Sequence, residues 1–240
     1  MKSRTRSALR LLATGLGIAA GSYVARAAAT WFRYGHGQRP PRAGEADPLL
    51  DRFIPDYDVA ERHHIRVEAP ADVAFASAVA MDLRRSAIIR GIFKTRELLM
   101  GAQPGEAVLP SALVEQMQAV GWRVLAEVPG REIVLGAATQ PWEPNPTFNG
   151  LAPEEFHAFN EPNFVKIAWT LRVEPAGDGE CIVRTETRVI TTDARARSSF
   201  GRYWSLVSPG AVLIRRILLR RLKKDAERRT HAQAAGSRSA

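Results

Sequence analysis

Residues 193–229 read DARARSSFGRYWSLVSPGAVLIRRILLRRLKKDAERR, and this stretch decides the fold. Asp193 has the side chain of a good helix N-cap. Phe200, Tyr203, Val207, Ala211, Ile214, Leu218 and Leu222 then recur at spacings of three and four, which is one face of a helix. Arg216, Arg220, Lys223 and Lys224 gather on the other side. The spacing predicts a helix of roughly 35 residues, interrupted at Ser208-Pro209-Gly210, where the proline removes one backbone hydrogen bond. An amphipathic helix of that length needs an apolar surface to cover.

The chain upstream supplies one. Residues 163–174 alternate, with Val165, Ile167, Trp169, Leu171 and Val173 on one face. After a turn at residues 175–179, residues 180–192 are rich in Val, Ile and Thr. There Val183, Thr185, Thr187 and Val189 form the inner face, and Arg184, Glu186 and Arg188 pair across strands on the solvent side. Residues 122–128 and 131–139 make an earlier strand pair about the Pro129-Gly130 turn. Residues 58–69 form an opening strand with Ile65 and Val67 on one face. Helices follow it from Pro70-Ala71-Asp72, over residues 86–100, and over 110–121. A loop with Pro141, Pro144 and Pro146 carries Trp142 and Phe148, and residues 153–159 form a short helix. This order predicts an α+β fold: a curved antiparallel sheet wrapped around one long C-terminal helix.

The ends differ from this body. Residues 11–32 are apolar apart from Arg26 and follow Lys2, Arg4, Arg6 and Arg10. The stretch is long enough to span a bilayer, and Trp31, Phe32 and Tyr34 stand where an interfacial aromatic belt would sit. Residues 1–34 are expected to be a retained membrane anchor of uncertain orientation. The rival reading is a signal segment cleaved near the alanines at 25–29, with export of the rest. Residues 35–57, rich in Pro and Gly at their start, are expected to be a linker, 58–229 the folded domain, and 230–240 a flexible tail.

The net charge of +9 is unevenly spread over the 240 residues. Residues 1–42 hold eight basic side chains and no acid, residues 43–193 hold 14 basic and 23 acidic, and residues 194–229 hold 11 basic and two acidic. An acidic body between basic ends argues against nucleic acid, whose binders carry positive charge on the folded body. It suits an anionic membrane surface, with Arg216, Arg220, Lys223 and Lys224 as the contacts.

The opening strand running into APADVAFA (residues 69–76), the strand pair about Pro129-Gly130, and the closing RYWSLVSPG (residues 202–210) resemble the START/Bet v 1-like, or SRPBCC, superfamily. That group includes polyketide cyclase/dehydrase-like and lipid-transfer proteins. The resemblance covers residues 58–228 and implies a helix-grip fold. Its implied ligand is a hydrophobic small molecule or lipid.

Motifs of chemistry are scarce. The sequence has no phosphate-binding glycine loop, no Gly-x-Ser-x-Gly and no His-Glu-x-x-His. His63 and His64 are neighbours on a strand and point to opposite faces, so they cannot chelate one ion. Glu154 and His157 lack an obvious third ligand, and the single cysteine, Cys181, reads as a core residue. No catalytic residue, metal or cofactor is assigned. The aromatics carry more information. Trp122, Val124, Trp142, Phe148, Ile167, Trp169, Phe200, Tyr203, Trp204 and Val207 are expected to wall an apolar cavity between sheet and helix. The function expected is a membrane-tethered carrier of a hydrophobic molecule. The alternatives are a cyclase/aromatase-like enzyme and a non-catalytic membrane-associated interaction domain, and two or more titratable side chains inside the grip would favour the enzyme.

Overall fold

The computed structural model describes residues 21–25, 29, 44–83, 86–101 and 110–237. The expected anchor over 1–34 lies mostly outside the described residues. Among those described, no helix is long and apolar enough to cross a membrane.

Among the described residues, six strands form one antiparallel sheet: β1 (Val59–Val67), β2 (Arg123–Val128), β3 (Glu132–Thr139), β4 (Phe148–Asn149), β5 (Val165–Gly177) and β6 (Glu180–Thr191). The order is β1-β6-β5-β3-β2, with the short β4 paired to β3. From residue 44 on, the described helices are α1 (Pro48–Asp51), α2 (Ala71–Val79), α3 (Ala87–Met100), α4 (Leu113–Ala119), α5 (Pro153–Ala158) and α6 (Ala194–Ser237). The Asp193 carboxylate accepts hydrogen bonds from the backbone N–H groups of Ala196 (2.6 Å) and Asn163 (2.7 Å). These bonds cap α6 and hold the Asp193 carboxyl below its ordinary range.

α6 is one helix of 44 residues with Pro209 inside it. It does not break at Ser208-Pro209-Gly210, and it continues through most of the expected tail. Its inward stripe is Phe200, Trp204, Ser208, Val212, Leu219, Leu222 and Ala226, all buried. Against it, the concave face of the sheet presents two apolar clusters. Val59, Val165 and Val189 pack with Phe200 and Trp204, while Ile133, Leu135, Leu171, Val173, Cys181 and Val183 pack with Leu219, Leu222 and Ala226. α2 adds Ala74, Phe75 and Ala78 to the second cluster.

The convex face is also covered. Every residue of β3 is buried, as its apolar sequence EIVLGAAT requires of a central strand closed on both sides. Gly136 is the close approach: a Cβ there would stand 2.4 Å from Leu125 Cδ1 and 3.0 Å from Phe156 Cε2. The outer cover is the stretch around α1, which falls within the expected linker. Leu50, Phe53 and Ile54 are buried against Val134, Ala168 and Phe156, so residues 47–57 form a strap that belongs to the folded unit.

The strap changes the reading of the outer-face charges. Arg184, Glu186 and Arg188 face outward as their register predicts, but Arg188 and Glu186 are buried, not solvated. Arg188 donates to Glu186 Oε1 (2.7 Å), Asp51 Oδ1 (2.5 Å) and the Ile54 carbonyl (2.8 Å), and its guanidinium lies over the Tyr57 ring. Arg62 reaches Glu186 (2.8 Å) and the Tyr57 hydroxyl (2.7 Å). Arg172 donates to the Ala46 carbonyl (2.8 Å). The Glu132 carboxyl, bonded to Asp47, is pushed up to about 7, first by burial and next by the Asp47 charge.

Candidate functional site in the grip

The space between α6 and the sheet is the natural place for a site, and pairing register fixes what faces it. Antiparallel partners share a face. One transverse row is therefore Glu61, Thr187, Trp169, Leu135 and Val124, and the next is His63, Thr185, Leu171 and Ile133. Val59, Val189, Ile167 and Ala137 form a third. The polar members are concentrated at the β1–β6 side, between the two apolar clusters.

These polar groups contact one another and the helix. The Trp169 indole donates to Thr185 Oγ1 (2.6 Å). Arg215, one turn before Leu219, donates to Thr187 Oγ1 (2.6 Å). His63 Nε2 lies 3.5 Å from Glu61 Oε2 and is buried without a hydrogen bond. Burial pushes the Arg215 pKa down, and the Glu61 charge opposes that. His64 is exposed on the outer face, so the adjacent histidines divide as their strand geometry requires.

The ten expected wall residues separate into groups. Phe200 and Trp204 stack (5.8 Å between centroids, 17°) at the N-terminal end of α6, with Trp142, Ile167 and Tyr203 packed around them. Trp122, Val124 and Trp169 border the other cluster. Phe148 stacks on Trp122 (5.5 Å, 27°) at the far edge of the sheet. Val207 is half-buried on α6. Beside the first group a recess of about 270 Å³ is lined by Met100, Trp142, Ser199, Arg202, Tyr203 and Leu206. At its rim the Tyr23 hydroxyl donates to the Leu206 carbonyl, which brings the described part of the N-terminal stretch onto α6.

Of the expected membrane contacts, Arg216, Arg220 and Lys224 are exposed along one line of α6. Lys223 is tied to the protein instead, bonding Glu227 (2.6 Å) and the Arg66 carbonyl (3.0 Å). Glu154 and His157 are exposed on α5, and among the described residues no group of three His, Cys, Asp or Glu is placed to hold a metal. The residues that sequence reasoning missed are Glu61, His63 and Arg215. Strand alternation already put Glu61 and His63 on the face of Ile65 and Val67. Arg215 falls on the inward stripe once that stripe is drawn through Trp204 rather than Tyr203.

Strand, helices, a run of antiparallel strands with β1 beside β6, and a closing helix laid across the concave face define one architecture. The chain has a helix-grip fold. Among solved structures, the helix-grip chain is similar to CalU16 from Micromonospora echinospora (13% identity over 72% of this chain and 86% of that one, TM-score 0.26). It is similar to hypothetical protein jhp0584 from Helicobacter pylori (7%, 81% and 99%, TM-score 0.37). It is also similar to norcoclaurine synthase from Thalictrum flavum, solved in complex with dopamine and hydroxybenzaldehyde (14%, 78% and 96%, TM-score 0.26). No family model matches the chain, and no curated protein does. The fold assignment rests on element order and strand pairing.

Proposed function

We propose that this helix-grip protein is a binding module for a small, largely apolar molecule that enters beside α6 and is held between helix and sheet. The observation that carries the reading is the recess at Trp142 and Tyr203. Two of its lining residues, Trp142 and Tyr203, pack against the stacked Phe200 and Trp204. Apolar and aromatic walls with a few polar groups are the usual composition of a small-molecule site, and about 270 Å³ is just below the common range of roughly 300–1,000 Å³. Fluorescence titration with the neutral dye Nile red tests it. Saturable binding that weakens in Trp142→Ala and Tyr203→Ala, with melting temperature little changed, is the expected result. Absence of binding, or binding indifferent to both changes, would refute it.

The proposal includes a bilayer attachment through residues 11–32, supported by their length, their basic flank and the exposed line of Arg216, Arg220 and Lys224. Removing residues 1–34 is expected to move the protein from the membrane to the soluble fraction. Full-length protein in the soluble fraction with its N-terminus intact would contradict the attachment.

A second reading, an acid–base enzyme, is favoured by one observation: Glu61 and His63 lie side by side on the inner face. Under it, His63→Ala abolishes conversion of a bound molecule while leaving its affinity unchanged, as mass spectrometry of the recovered ligand would show. Recovery of the ligand unaltered from the unmodified protein would refute the enzyme reading.

A further inference from the structure

Another recess, of about 310 Å³, lies toward the C-terminal end of α6, away from the one at Trp142. Arg221, Asp225 and Arg229 enter it from successive turns of α6, Ser77 and Asp82 from the end of α2, and Ser111 from the segment before α4. Buried Gln116 sets two of these walls. Its Nε2 donates to Asp82 Oδ1 (2.7 Å) and to the Pro110 carbonyl (2.8 Å), and its Oε1 accepts from the Leu83 N–H (3.3 Å). One side chain thus ties the segment after α2 to the segment before α4, and the recess is held open in advance of any ligand.

The acceptors around this recess are engaged, and its donors are not. Asp82 accepts from Gln116, and Asp225 pairs with Arg228 on the same helix. Arg221 is half-buried and Arg229 exposed, and among the described residues no carboxylate forms an ion pair with either. Ser77 is 3% exposed, and its hydroxyl is enclosed with no hydrogen-bond partner. Other hydroxyls within helices do not share this condition: Thr95, Ser205 and Thr230 each donate to the carbonyl four residues back. A buried polar group left unmade is costly, so the Ser77 hydroxyl at the wall of a recess points to an acceptor inside it. With Arg228 at the rim, three guanidinium charges face two carboxylates, and the surplus favours an anion.

We propose that this recess binds the phosphate group of a small phosphorylated molecule, with Arg221 and Arg229 as its charge partners and the Ser77 hydroxyl as a further donor. Guanidinium forks match the oxygens of a phosphate, and the three terminal oxygens of a phosphate monoester can meet two forks and a hydroxyl together. The volume leaves room for a short body beyond the phosphate, and Asp82 and Ser111 make the wall facing it polar. The site is separate from the grip and does not depend on the apolar ligand proposed there. The phosphate can belong to a free ester or to a lipid headgroup.

The test is isothermal titration calorimetry of the full chain at physiological salt with glycerol 3-phosphate, with glycerol, and with short-chain dihexanoyl phosphatidic acid. Glycerol 3-phosphate is expected to bind saturably where glycerol does not. Arg221→Gln and Ser77→Ala should each weaken it roughly 10-fold or more, the range for a hydrogen bond to a charged group, and leave Nile red binding unchanged. Without ligand, Ser77→Ala should melt no lower than the unmodified protein, because it removes a hydroxyl that has no partner. That keeps the binding comparison clear of misfolding. Binding of the phosphatidic acid alone, with the same losses in both variants, would support the phosphate site and make a lipid headgroup its source. If neither phosphate probe binds, or if their binding is indifferent to both substitutions, the proposal is overturned.

Discussion

Replacing Arg188 by alanine removes the bolt between sheet and strap. The side chain is 2% exposed, and its loss strands three acceptors: Glu186, Asp51 and the Ile54 carbonyl. Removing one partner of a buried ion pair costs roughly 3–5 kcal/mol. Two features of the structure push the value to the lower end. Arg62 remains 2.8 Å from Glu186 and neutralises it, and the Asp51 side chain is half exposed and can rehydrate. We therefore expect a loss of about 3 kcal/mol, which lowers the melting temperature by about 6–12 °C at about 2–4 °C per kcal/mol for a domain of this size. Differential scanning calorimetry reads the shift. Amide hydrogen exchange over residues 47–57 reads its local cause, because the strap should lose protection before the sheet does. An Arg188→Ala protein that melts within a degree or so of the unmodified one, with strap protection intact, would refute the claim that this network holds the strap.

Three further outcomes follow from the same structure. Gly136→Ala places a methyl group 2.4 Å from Leu125 Cδ1, so it should cost about 1–3 kcal/mol by overpacking, measured by urea denaturation; a neutral result would mean the β3 contact is loose. Glu132 has a folded-state pKa of about 7, above its ordinary value of 4.5, so its contribution to stability is fully present below pH 4.5 and is lost as pH rises through 7. Stability should accordingly fall between those values, and Glu132→Gln should flatten the fall in pH-dependent melts; an unchanged profile in the variant would assign the dependence to another group. Burial pushes the Cys181 thiol up to about 11, so iodoacetamide should label it only under denaturing conditions, and rapid labelling of the folded protein would contradict its place in the core.

Much of the fold could be read because its signals are local. The alternation of residues 163–174, the Pro129-Gly130 turn and the Asp193 cap each act within a few residues, and each has its structural counterpart in β5, the β2–β3 turn and the start of α6. The strap could not be read in the same way. Leu50, Phe53 and Ile54 make only a short apolar run among prolines, and their meaning depends on Arg188 and Ala168, more than a hundred positions away. The same distance hid the burial of Glu186 and Arg188, since a charged strand face reads as solvated until something covers it. The site proposed above draws on aromatics that the sequence singles out and on charges that it does not. Trp142, Tyr203 and Trp204 declared themselves by size, whereas Arg215 sits in a run of basic residues of which Arg216, Arg220 and Lys224 face water. Only the pairing of Thr187 with the helix separates it from them.

The most direct test of ligand binding between sheet and helix is a two-dimensional NMR titration of the indole N–H groups with cis-parinaric acid. If the account is right, the signals of Trp142 beside Tyr203 in the recess, Trp169 bonded to Thr185, and Trp204 stacked on Phe200 move together and saturate at one equivalent. If those three signals stay in place while the acid is added to excess, no ligand enters the grip, and the account is contradicted.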